Sequence, residues 1–226
     1  MSDSFLAPVS HPQRPWDARL ARWLVTPLAR SRVTPNHLTT IRLATGLAGA
    51  VAFTSGTYGW CNVAALLVIL SNFLDHTDGE LARLSGKMSR IGHVYDLASD
   101  AAVTVLLFVA MGVGIGTASD TPLGVSPPAM GAVAGAAVAL IFYLRMRIEE
   151  MAGKVATRQP SLSGFEAEDI LYLLPLVTLL NGVMPFLVAA SIGAPVFAAW
   201  VVIDHRRVAR RSKSMAASPT SGTGLV

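Results

Sequence analysis

The chain has 226 residues, 52% of them hydrophobic and 14% charged, against a charged share of about 25% in ordinary soluble domains. With a mean hydropathy of +0.51, that balance excludes a plain soluble domain and points to an integral membrane protein. The formal net charge of +4 is read in so apolar a chain as basic cytoplasmic loops, with no nucleic-acid partner. The single cysteine, Cys61, excludes an intrachain disulfide.

Residues 1–36 form a leader that does not read as a secretory signal. It holds prolines and five arginines, and no apolar core precedes Thr40. Residues 1–12 are expected to be disordered. Over 14–32, Trp16, Leu20, Trp23, Leu24 and Leu28 fall on one helical face among Arg14, Arg19, Arg22 and Arg30. That pattern predicts an amphipathic helix lying in the membrane interface. Pro35 then turns the chain, and Asn36 is placed to cap the next helix.

A membrane span takes about 20 apolar residues. Six runs qualify, at roughly 38–57, 58–82, 92–116, 128–147, 165–181 and 183–203. The fifth opens on Glu166, Glu168 and Asp169, which would face the positive end of its helix dipole. The 18 Lys and Arg residues are distributed unevenly among the connections. They occupy the leader, Arg42, the 2–3 connection (Arg83, Lys87, Arg90), the 4–5 connection (Arg145, Arg147, Lys154, Arg158) and the tail (Arg206, Arg207, Arg210, Arg211, Lys213). The other three connections have none, which sets both termini in the cytoplasm. The expected fold is an all-α polytopic membrane protein. Six transmembrane helices (37–204) follow the interfacial helix and precede a basic, flexible cytoplasmic tail (205–226). Gly131 and Gly135 make a small-xxx-small pair on span four, which favours close helix packing within or between subunits. A homodimer is the expected assembly.

The stretch 75–100, DHTDGELARLSGKMSRIGHVYDLASD, carries the chemistry. Carboxylates near membrane depth are costly and call for a functional reason. Asp75, Asp78, Gly79, Ala82 and Arg83 share one helical face, and Gly92, Asp96 and Asp100 share a face of the next helix. Folded back as a hairpin about residues 84–91, the two helices set Asp75 level with Asp100 and Asp78 level with Asp96. Four converging carboxylates repel unless cations neutralise them. Oxygen-only ligands favour hard ions such as Mg²⁺ or Mn²⁺, and two such ions could bridge a diphosphate. Gly79, Gly92 and the small Ala82 leave room for an anionic group, and Arg83 can take a phosphate oxygen bidentately.

The spacing Asp75-x2-Asp78-Gly79-x2-Ala82-Arg83-x8-Gly92-x3-Asp96-x3-Asp100 resembles the signature of the CDP-alcohol phosphotransferases at each of its eight fixed positions. The resemblance extends to the interfacial leader, the six-span layout and Pro35-Asn36-His37-Leu38-Thr39. It implies that Asp75, Asp78 and Asp96 hold two divalent ions, with Asp100 near the second and acting as general base on the acceptor hydroxyl. It further implies that Asn36, His37, Leu38, Thr39, Gly79, Ala82, Arg83, Ser89 and Gly92 surround the CDP donor. The implied reaction moves a phosphatidyl group from CDP-diacylglycerol to a polar alcohol and releases CMP, in phospholipid biosynthesis at the cytoplasmic face of the cell membrane.

Arg145 and Arg147 are candidates for acceptor binding, against a solvated helix end. Arg42 either snorkels to the surface or reaches a substrate phosphate. His76 and His93 flank the motif and either line the site or are solvated at the interface, with the interface favoured, and His37 and His205 read as interfacial. Transfer of a CDP-linked small alcohol phosphate to a lipid alcohol is the alternative within the family. An intramembrane prenyltransferase and a carboxylate-lined ion transporter are the alternatives outside it. Leu97 and Ala101 stand where the glycerol-phosphate branch often has Pro and Lys, so the sequence departs from that branch.

Overall fold

The computed structural model describes residues 16–116, 121, 123–152 and 171–217. Among these residues the chain is all-helical. Helix α1 (Trp16–Val25) runs into a 3-10 turn (Thr26–Arg30), then α2 (Pro35–Phe53), α3 (Tyr58–Ser85), α4 (Arg90–Ile115), α5 (Pro127–Ala152), the short α6 (Leu174–Leu179) and α7 (Val183–Ala217). Helices α3, α4, α5 and α7 are long and apolar enough to cross a membrane. The first expected span, α2, is not among them, because Asn36, His37, Thr39, Thr40 and Arg42 occupy its first half. The fifth expected span is represented by α6 and the turn before it. Its acidic start, Glu166, Glu168 and Asp169, lies outside the described residues, as do residues 1–15, Lys154, Arg158 and 218–226. Helix α7 continues through the basic segment to Ala217, so the first part of the 205–226 tail is helical.

Helix α1 packs on α3. Its Ala21 and Val25 are buried, while Leu20, Trp23 and Leu24 turn away from the protein. Val25 joins Leu38 and Leu81 in a small apolar cluster that fixes α1 against the start of α2 and the end of α3. Helix α2 begins with Thr34 as its N-cap and Pro35 in the first turn. Asn36 therefore lies inside the helix, where it had been expected to cap it. Proline suits that first position because its missing N–H would be unpaired there anyway. His37 Nδ1 accepts the Thr34 N–H at 3.3 Å, closing the turn.

The arrangement of the central helices departs from a simple hairpin. Among the described residues α3 and α4 do not pack on each other; α2 packs on both. Two glycines of α2 make this wedge fit. A Cβ on Gly46 would lie 2.6 Å from Val103 of α4 and 2.8 Å from the Ser71 hydroxyl of α3, and one on Gly49 would lie 3.0 Å from Val68. On the other side of α4, Gly131 and Gly135 of α5 meet the backbone at Phe108 and Val105. That small-residue pair therefore serves packing within the chain. The main core draws on α2 through α7, around Phe53, Val68, Leu107, Met111, Met130, Leu174 and Leu187.

Candidate active site

The wedge opens a space between the cytoplasm-predicted ends of α3 and α4. Helix α3 ends on Gly86, whose φ of 67° is the left-handed conformation glycine adopts without strain. Helix α4 starts at Arg90 with Ser89 as its N-cap, the hydroxyl accepting the Gly92 N–H at 3.0 Å. A Cβ on Gly92 would sit 3.0 Å from both the Ser89 hydroxyl and Asn36 Oδ1, so glycine lets the starts of α2 and α4 approach.

A cavity of about 520 Å³ occupies this space. Asp78 and Asp96 form its acidic wall; Arg83, Lys87, Arg90 and His93 form its basic rim. Asn36, Thr39, Gly79, Ala82, Ser89 and Gly92 also line it, so most of the residues assigned to the donor are brought together. A Cβ on Gly79 would meet nothing within 4 Å. No packing contact demands glycine there, and the vacant volume belongs to the cavity. His37 and Leu38 are not on the wall: His37 closes the α2 turn, and Leu38 is buried in the α1 cluster.

Single carboxylate oxygens of Asp75, Asp78 and Asp96 lie within 4.8 Å of one another. Thr39 Oγ1 donates to Asp78 Oδ2 at 2.7 Å, with both residues buried. Asp100 is outside this triplet. It lines a separate void of about 10 Å³ with Arg42, Ser71, Asn72, Asp75 and Thr104. The expected four-way convergence is thus a triplet with the fourth carboxylate one helical turn along α4 from Asp96. The donor set fits a divalent cation. It is oxygen-only and acidic, and Asp96 Oδ1 is buried without completing a hydrogen bond among the described residues.

Arg42 has neither of the places expected for it. It is 2% exposed, so it does not snorkel, and it lines the small void with Asp75 and Asp100 rather than the cavity. Its guanidinium is in ion-pair contact with Asp75. Nη1 lies 3.1 Å from Asp96 Oδ1, and Nη2 donates to the Asp96 carbonyl at 2.9 Å. A lone arginine in an apolar run gave no sign of this. The Gly46 and Gly49 pair next to it could have signalled close helix packing around it.

Glu80 is a second residue that the spacing argument passed over. It is 2% exposed, accepts from Arg83 Nη1 at 2.5 Å and lies 3.9 Å from Arg22 of α1. It thereby links α1 to the arginine on the cavity rim. At the candidate acceptor side, Arg147 pairs with Glu150 at 2.7 Å. The Arg145 guanidinium carbon lies 5.6 Å from the ring centre of Phe197. His93 Nε2 lies 3.3 Å from Glu149 Oε1, which ties the cavity rim to the end of α5. Neither arginine lines the cavity.

Residues 32–203 match the CDP-alcohol phosphatidyltransferase family. The chain belongs to that family. It is therefore a multi-pass membrane enzyme of phospholipid biosynthesis, and the prenyltransferase and ion-transporter alternatives fall away. No curated protein sequence matches the chain. The fold is similar to that of phosphatidylinositol phosphate synthase from Mycobacterium tuberculosis with CDP-DAG bound. The TM-score is 0.56 at 21% identity, covering 92% of this chain and 99% of that one. The same synthase in complex with manganese and citrate gives a TM-score of 0.56 at 21% identity, covering 93% of each chain.

Proposed function

We propose that this phosphatidyltransferase uses CDP-diacylglycerol as donor and a polar alcohol as acceptor. The observation that carries the reading is the cavity between α3 and α4, with Asp78 and Asp96 on one wall and Arg83, Lys87 and Arg90 on its rim. An acidic wall beside a basic rim suits a diphosphate held together with divalent cations. The related synthase has been seen with CDP-DAG and, separately, with manganese. Asp75, Asp78 and Asp96 would hold two Mg²⁺ or Mn²⁺ ions, with Asp100 beside the second. Bound there, such ions supply charge neutralisation for the diphosphate and for the departing CMP.

The chain's own groups do the rest. Arg83, fixed by Glu80, holds a phosphate oxygen of the donor. Gly79 and Gly92 let the donor lie close to the two helices, with Asn36, Thr39, Ala82 and Ser89 around it. Asp100 takes the proton from the acceptor hydroxyl, whose oxygen attacks the phosphorus bearing the diacylglycerol and expels CMP. Positioning and fixed electrostatics dominate a transfer of this kind.

The exposed Leu20, Trp23 and Leu24 of α1 support an interfacial helix. The uneven placing of Lys and Arg supports an active site facing the cytoplasm. A homodimer is part of the proposal, and it would use faces other than the Gly131 and Gly135 stripe spent on α4. Arg145 and Arg147 are the proposed acceptor contacts, on the helix whose Glu149 lies 3.3 Å from His93 of the cavity rim.

The test is CMP release by the purified protein from CDP-diacylglycerol across a panel of serine, inositol phosphate, glycerol phosphate and amino alcohols, with Asp100→Asn as control. One acceptor should support turnover, and Asp100→Asn should lose it while still binding the donor. Undiminished turnover in Asp100→Asn would remove the general-base assignment. Turnover only with a CDP-linked small alcohol and diacylglycerol would reverse donor and acceptor.

A further inference from the structure

Arg42 is fixed from three sides. Its backbone carbonyl accepts the Ser71 hydroxyl of α3 at 2.9 Å. Its Nη2 donates to the Asp96 carbonyl of α4 at 2.9 Å. Its Nη1 faces two of the three carboxylates of the triplet, Asp75 and Asp96. Yet Nη1 and Asp96 Oδ1, 3.1 Å apart, complete no hydrogen bond among the described residues. The contact is one of charge with charge, which a different cation could replace. The arginine reaches this place only because α2 is wedged between α3 and α4, with Gly46 and Gly49 admitting the close approach.

We infer that Arg42 is a built-in counter-ion that holds Asp75 and Asp96 while the site is unloaded and yields them to the divalent cation on loading. Three carboxylates drawn to within 4.8 Å would repel without a cation. A guanidinium buried with them restrains that repulsion and keeps α2, α3 and α4 together. It also carries the wrong sign for a neighbouring metal ion. Arg42 thus stabilises the metal-free fold and lowers metal affinity, and it is a positioning residue for the metal ligands. A purely structural arginine would do the first without the second. The inference rests on the proposed metal site, and its test separates the two.

The experiment measures Mn²⁺ binding by calorimetry, and melting temperature in chelator and in Mn²⁺, for the detergent-purified protein, Arg42→Gln and Arg42→Lys. Removing a positive charge about 5 Å from a dication tightens its binding by roughly tenfold even in a water-like dielectric. Arg42→Gln should melt lower than the natural protein in chelator, gain more from Mn²⁺ and bind Mn²⁺ roughly tenfold more tightly. Arg42→Lys, which keeps the charge on a shorter reach, should show a smaller tightening. If Arg42→Gln folds only in Mn²⁺, the exchange of one cation for the other is shown directly. If it cannot be purified at all, the lysine variant decides. Equal or weaker Mn²⁺ binding in the purified variants overturns the inference. Absence of Mn²⁺ binding by the natural protein overturns the metal site itself.

Discussion

Thr39→Val tests how the carboxylates are held. Valine keeps the shape of threonine and removes one hydroxyl. That hydroxyl has one proton to give. It lies 2.7 Å from Asp78 Oδ2 and 3.2 Å from the Pro35 carbonyl, so the carboxylate receives it. Thr39 is 2% exposed and Asp78 4%, and water does not easily replace the lost donor. A hydrogen bond to a charged group contributes about 1.5–3 kcal/mol, which corresponds to roughly tenfold to a hundredfold in a binding constant. Loss of groups that orient metal ligands commonly weakens affinity by a similar factor. Thr39→Val should therefore shift the Mn²⁺ concentration for half-maximal CMP release upward by roughly tenfold or more, with part of the activity recovered at high Mn²⁺. The assay is a Mn²⁺ titration of CMP release at saturating donor. A folded Thr39→Val protein with the natural Mn²⁺ dependence would refute the claim that this bond sets Asp78 for a cation.

Gly79→Leu should leave the melting temperature nearly unchanged, since a Cβ there meets nothing within 4 Å. It should abolish CMP release by filling the donor space, and a matching loss of stability would show that the glycine serves packing. Glu80→Gln keeps the size but removes the charge that holds Arg83. The KM for donor should rise several-fold with little change in kcat, as steady-state kinetics will show. An unchanged KM would detach Arg83 from the donor or Glu80 from Arg83.

The spacing of Asp75, Asp78 and Asp96 was enough to foresee their convergence, because helical periodicity fixes which residues share a face. The hairpin built on that periodicity was too simple. Nothing in residues 75–100 states that a third helix lies between the two. That information resides in Gly46 and Gly49, whose value appears only once Val103 and Val68 are set against them. Arg42 and Thr39 are likewise more than thirty positions from their carboxylate partners, beyond any local pattern. Glu80 sits at an unassigned position between two signature residues, and the packing of α1 on α3 buries it. The grouping of the cavity's lining was legible because it sits in two short motifs, the start of α2 and residues 78–96. The candidate acceptor residues were not, because Arg145 and Arg147 carry no spacing constraint, and Phe197 and Glu150 are among their contacts.

The central claim is metal-assisted transfer from a CDP donor at the Asp75, Asp78 and Asp96 triplet. Its most direct measurement is CMP release from CDP-diacylglycerol by the purified protein in chelator, then with Mn²⁺ restored, beside Asp78→Asn. The account predicts no release in chelator, full recovery with Mn²⁺, and no recovery in Asp78→Asn. Full activity in chelator, or an Asp78→Asn protein as active as the natural one, would contradict it.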